Sequence, residues 1–153
     1  MTAQPIWTTT TRSARGTKSV ARNIAAELEA GSVLALEGDL GAGKTTFVQG
    51  LAEALGVSDI SQVLSPTYTL VNEYPAERLT LVHIDFYRLE DANGVRALGI
   101  EEQINRDDAV VAIEWADRLP DLLPAAAVWI RLQLGEGNER QIEVRGLAEP
   151  RQA

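Results

Sequence analysis

Cysteine is absent from this 153-residue chain, which excludes disulfides, thiolate metal sites and cysteine nucleophiles. Aromatic residues make up only 5%, and no apolar run approaches the roughly 20 residues that a membrane-spanning helix needs. Lysine is nearly absent, since only Lys18 and Lys44 stand among 14 basic residues. Basic charge is scarce altogether. With 22 acids the formal charge is −8, which disfavours nucleic-acid binding by counterion release, because that needs a basic face. There is no continuous apolar segment of the kind a secretory signal carries. Residues 1–26 hold Arg12, Arg15, Lys18 and Arg22 with no acid, a balance found in organelle transit peptides. Yet Val20, Ala21, Ile24, Ala25 and Leu28 recur at helical spacing and run straight into the next strand. The segment therefore reads as part of the domain, and a cytoplasmic location is expected. What the chain does have is an ordinary globular composition, 45% hydrophobic and 24% charged. Its length suits one core, so residues 1–153 are expected to form a single domain.

The order of elements is legible in the pattern. Ile6 to Thr11 is rich in β-branched residues and reads as an edge strand, followed by a helix from about Thr17 to Glu29 that ends near Gly31. Val33-Leu34-Ala35-Leu36 is a short unbroken apolar run, the mark of a strand buried on both faces. A second helix carries Phe47, Val48, Leu51, Ala52 and Leu55 on one stripe and stops at Gly56. Leu79 to Ile84 and Ala109 to Ile113 are further buried strands, ending at Asp85 and Glu114. Between Leu89 and Arg106 the pattern is helical, interrupted by Gly94 and Gly99. Val128 to Leu134 alternates, turns at Gly135-Glu136-Gly137-Asn138, and alternates again through Ile142 and Val144. The spacing predicts a three-layer α/β fold with a mainly parallel central sheet, antiparallel edge strands and a C-terminal β-hairpin.

Between the first buried strand and the second helix lies Gly38-Asp39-Leu40-Gly41-Ala42-Gly43-Lys44-Thr45, a match to the Walker A pattern in its required strand–loop–helix context. The glycines permit backbone angles that aim N–H groups at an anion beside a helix N-terminus. Lys44 can reach the β- and γ-phosphates as a point charge, and the Thr45 hydroxyl is placed to ligate Mg²⁺. A nucleoside triphosphate is expected here. The guanine-reading Asn-Lys-x-Asp loop of GTPases has no counterpart, because the other lysine lies upstream. That favours ATP. A small-metabolite P-loop kinase is the rival, but such enzymes close an arginine-bearing lid over the phosphates. Arg88, Arg96 and Arg106 are instead scattered among more acids than bases. A nucleotide-sensing module without significant turnover is a third reading.

P-loop enzymes hold Mg²⁺ partly through a carboxylate at the end of a neighbouring buried strand. Asp85 and Glu114 both qualify. One can serve the metal while the other positions the attacking water or reads the γ-phosphate; a solvated acid at a strand terminus is the plainer account of either. Trp115 could cover the site or merely sit at the core edge. In Ser65-Pro66-Thr67-Tyr68-Thr69, proline forces Ser65 extended, which makes a connecting loop. Thr67 stands where P-loop switches place a threonine against the metal or γ-phosphate. His83, the only histidine, reads as a hydrogen-bonded structural residue rather than a general base.

Four blocks occur in order: Gly-Asp-Leu-Gly-Ala-Gly-Lys-Thr-Thr-Phe at 38–47, Ser-Pro-Thr-Tyr-Thr-Leu-Val at 65–71, His-Ile-Asp-Phe-Tyr-Arg-Leu at 83–89 and Glu-Trp at 114–115. Together they resemble the bacterial TsaE (YjeE-type) family, the ATPase component of tRNA threonylcarbamoyladenosine biosynthesis, over nearly the whole chain. The resemblance implies a compact P-loop domain with a mixed sheet, binding of ATP or ADP with magnesium, and weak ATPase activity alone. It also implies work with TsaD-like and TsaB-like subunits, with no direct tRNA binding expected of this chain and no membrane. Residue by residue, Lys44 and Thr45 match the P-loop pair, with Thr46 beside them, and Glu114 matches the metal carboxylate. Asp85 matches the family's His-x-Asp acid, Thr67 its switch-like loop, and Arg140 an arginine near the nucleotide. Ala14 stands where the family usually has an acidic residue, on the side implied to border the adenine.

Overall fold

The computed structural model describes residues 4–66, 70–89 and 99–150. Strand β1 is Ile6–Thr11 and helix α1 is Ala14–Ala25. The helix begins at Ala14 rather than near Thr17 because the Ser13 hydroxyl accepts the Gly16 N–H at 3.0 Å, capping a turn that the apolar stripe does not mark. It ends at Ala25 rather than Glu29. The N–H groups of Glu27 and Leu28 donate to the carbonyls of Ile24 and Ala25, a tighter winding that still buries Leu28.

Next come β2 (Val33–Glu37), α2 (Lys44–Leu55), β3 (Val71–Tyr74), β4 (Thr80–Asp85), α3 (Ile100–Ile104), β5 (Ala109–Glu114), β6 (Val128–Leu134) and β7 (Arg140–Arg145). Among the described residues, the seven strands form one sheet in the order β1-β7-β6-β2-β5-β4-β3. Strands β6, β2, β5 and β4 run parallel, while β7, β1 and β3 are antiparallel to their neighbours. The expected parallel centre, antiparallel edges and C-terminal hairpin are therefore observed. The short strand β3 is additional, and of the helical pattern between Leu89 and Arg106 the described residues form only α3 as a helix. Residues 90–98, including Gly94 and Arg96, lie outside the described set.

Strand alternation sorts the core into two clusters. Leu34, Leu36, Leu81, Val110 and Ala112 face α1 and α2, while Ala35, Val82, Ile84, Val111 and Ile113 pack on the other side with Phe86, Ile100 and Ile104. This makes three layers, and it is why β2 reads as an unbroken apolar run: both of its faces are dry. Gly50 sets how closely α1 and α2 approach, because a Cβ there would stand 2.7 Å from the Lys18 carbonyl oxygen and 2.8 Å from Ala21 Cβ.

Parallel pairing brings functional strand ends together. Leu36 of β2 pairs with Glu114 of β5, and Glu114 pairs with Asp85 of β4. Both acids thus end neighbouring strands at the edge of the sheet where the loop after β2 begins, the crevice position for ligands in open α/β sheets. Among the described residues, no helix is long and apolar enough to cross a membrane.

Candidate functional site

The glycine-rich loop joins β2 to α2 through three glycines with positive φ: Gly38 (148°), Gly41 (80°) and Gly43 (109°). Gly38 is required for space as well. A Cβ there would lie 2.3 Å from the Leu132 carbonyl oxygen of β6, so no side chain fits. Ala42 is buried in the α1/α2 cluster, its N–H donating to the Asp39 carbonyl at 3.0 Å, while Leu40 is 78% exposed at the loop tip.

Lys44 opens α2 and folds back over the loop. Its Nζ donates to the carbonyls of Gly38 (2.5 Å) and Asp39 (3.0 Å) and lies 4.0 Å from the centre of the Trp115 ring. Burial pushes its pKa below the usual lysine value, against the opposing pull of Glu114, Asp117, Asp85 and Asp39. Trp115 is held over it by a left-handed backbone (φ 58°), and Tyr87 packs on the indole at 5.0 Å between ring centres. The Arg118 guanidinium lies 4.9 Å from the Tyr87 ring and 5.6 Å from Trp115.

Thr45, next in the helix, donates its hydroxyl to the Glu114 carboxylate, 3.0 Å from each oxygen. His83 Nε2 lies 2.5 Å from Glu114 Oε2. Asp85 is equally buried, but its oxygens face a different way: Oδ2 accepts from Ser65 Oγ at 2.6 Å and Oδ1 from the Tyr87 N–H at 2.7 Å. The Thr45 hydroxyl and Glu114 carboxylate are hard oxygen donors, which suits Mg²⁺ held mainly by phosphates and water. Among the described residues no group of three or more His, Cys, Asp or Glu gathers to cage a metal, so a closed protein site is not built here.

Two clefts flank the loop. One of about 460 Å³ is lined by Gly41, Gly43, Lys44, Thr45, Thr46, Ser65, Tyr87, Arg88, Glu114 and Trp115. The other, about 400 Å³, is lined by Arg12, Ser13, Ala14, Thr17, Asn138 and Arg140, and shares Gly41, Gly43 and Thr46 with the first. The loop is thus the common wall. Lys44, Thr45 and Glu114 come together on one side, Arg140 stands on the other, and Asp85 sits beside Glu114 in register. Thr67 lies outside the described residues. The sequence pattern did not single out Tyr87, Arg118, Arg12 or Asn138 as site residues. Tyr87 lies inside the 83–89 block, while nothing local marks the other three.

The family model described as threonylcarbamoyl adenosine biosynthesis protein TsaE matches residues 11–142. The chain is 46% identical over 120 residues to the tRNA threonylcarbamoyladenosine biosynthesis protein TsaE of a Nostoc species, covering 76% of this chain and 72% of that one. It is 43% identical over 126 residues to the protein of that name in Bacillus subtilis, 82% of this chain and 77% of that one. The Treponema pallidum protein is 40% identical over 133 residues, 87% and 96% of the two chains. The crystal structure of Bacillus subtilis YdiB superposes with a TM-score of 0.78 at 34% identity, covering 95% of this chain and 88% of that one. With its P-loop architecture and a match extending from the end of β1 into β7, the chain belongs to the TsaE family.

Proposed function

We propose that this chain, acting as one domain over residues 1–153, is a magnesium-dependent ATPase. It supports cytoplasmic TsaD-like and TsaB-like subunits in the threonylcarbamoylation of tRNA. The observation that supports this best is the cluster of Lys44, Thr45 and Glu114 at the wall of a cleft large enough for phosphates.

Gly38, Asp39, Leu40, Gly41, Ala42 and Gly43 cradle the phosphates with Lys44, Thr45 and Thr46, and Arg140 approaches the nucleotide from the second cleft. Thr67 adds a γ-phosphate contact on the strength of the sequence. Bound magnesium supplies charge neutralisation on the phosphate oxygens. Glu114 takes the Thr45 hydroxyl proton into its hydrogen bond, which leaves the oxygen's lone pairs for the metal. Asp85 positions the attacking water. Its present bonds to Ser65 and Tyr87 must loosen for that task, so hydrolysis is coupled to the Ser65 loop. A partner that reorders this loop would raise the rate, an order-switch of a familiar kind. The tRNA stays with the partners.

The test is ATP hydrolysis measured with and without TsaD-like and TsaB-like proteins. A weak rate alone and a higher one with them is expected. No stimulation, together with a phosphorylated small-molecule acceptor, would overturn the reading in favour of a kinase. Intact function of Glu114→Gln in cells would favour a sensing module.

A further inference from the structure

We infer that His83 is a positioning residue for the metal-side carboxylate, its Nε2–H fixing Glu114 in the orientation in which it meets Thr45. This rests on the proposed role of Glu114 at the metal.

Glutamate has one more rotatable bond than aspartate, so a glutamate at this place needs an external constraint to hold one carboxylate geometry. Thr45 alone does not supply it, because its single hydroxyl lies 3.0 Å from both oxygens and leaves the carboxylate free to tilt. His83 adds a second anchor from a different element, 2.5 Å from Oε2 alone. The route is set by the sheet. His83 of β4 pairs with Ala112 of β5, two residues before Glu114, on the face that α2 covers. The small side chain at Ala112 leaves the ring room to reach diagonally along β5 to Glu114.

The other ring nitrogen shows what the histidine is there for. His83 is fully buried, and its Nδ1 has no hydrogen-bond partner among the described residues. A carboxylate only accepts, so the nitrogen that meets Glu114 is the donor, and Nε2–H is aimed at the carboxylate while Nδ1 is left without a partner. The ring's one hydrogen bond among the described residues is therefore the bond to Glu114, kept at the cost of an unsatisfied nitrogen. A residue serving only the core would carry no such cost, because leucine fills comparable space without a polar atom. A donor that orients a metal-side group from behind is a recurrent device, and removing one typically lowers metal affinity 10–100-fold.

The experiment compares ADP binding across a Mg²⁺ titration for the wild type, His83→Leu, which removes the donor, and His83→Gln, which keeps an N–H. Melting temperatures are recorded alongside. Mg²⁺ should tighten ADP binding in the wild type. His83→Leu should need about tenfold more Mg²⁺ for the same gain, with metal-free ADP affinity and melting temperature near wild type, and His83→Gln should recover most of the deficit. An unchanged Mg²⁺ requirement in His83→Leu overturns the inference. So does parallel loss of metal-free binding or of the fold in both variants, which would make His83 structural. If Mg²⁺ does not affect ADP binding in the wild type, the role of Glu114 itself fails, and that arm involves no variant.

Discussion

Lys44 is held by two carbonyls and the face of Trp115, and the same burial that shields it lowers its pKa. The unfolded chain therefore holds this proton more tightly than the folded one. Charged Lys44 costs stability below the lowered pKa, and the cost disappears as pH rises from the folded towards the unfolded value. Phosphate beside the ammonium reverses the shift. ADP affinity should fall as pH rises through the lowered pKa, and binding in alkaline buffer should take up a proton. Calorimetry in buffers of different ionisation enthalpy measures that uptake, and zero uptake would rule the linkage out. Asp85→Ala should spare ADP binding and cut partner-stimulated hydrolysis at least tenfold, as losses of general acid–base groups commonly do. Loss of ADP binding would show instead that Asp85 builds the site. The placement of Lys44 and Thr45 at the start of α2 was legible in the sequence because it is local to one motif. Asp85 and Glu114 were legible as polar residues closing apolar strands. The grip of Ser65 on Asp85 and the Trp115–Tyr87–Arg118 stack were not, because pairs like these are made by tertiary packing and leave no periodic trace.

Helices α1 and α2 meet at Gly50, a position where glycine is poor for helix formation and necessary for packing. Gly50→Ala gains up to about 1 kcal/mol in helix propensity. It also drives a methyl against the Lys18 backbone, and overpacking of this kind costs about 1–3 kcal/mol. A lower urea midpoint is expected, and an unchanged or higher one would mean that α1 shifts without penalty. The buried strands were readable because two dry faces demand continuous apolar residues. Strand β3 escaped notice because Val71–Tyr74 is a half-exposed edge that carries Asn72 and Glu73. The ends of α1 were misplaced for a related reason: a cap by Ser13 and a tightened last turn are set by hydrogen bonds, not by the apolar stripe.

The molecule as a whole is acidic, with a charge of −8, and Lys44 at the site is buried and aimed at the carbonyls of its own loop. The chain alone should not retard tRNA in a low-salt mobility assay. A shift that weakens as salt is added would show a basic face that the composition does not suggest. Glu-Trp at 114–115 has a further use. Of the three tryptophans, Trp7 and Trp129 sit against Val144 and Arg145 of β7, near the start of β6. Trp115 stands at the opposite end of the sheet, after the end of β5, with a lysine charge against its ring. Indole emission responds to a charge at that distance. A chain with phenylalanine at positions 7 and 129 would therefore carry a single tryptophan, whose colour and brightness follow the departure of one ammonium group.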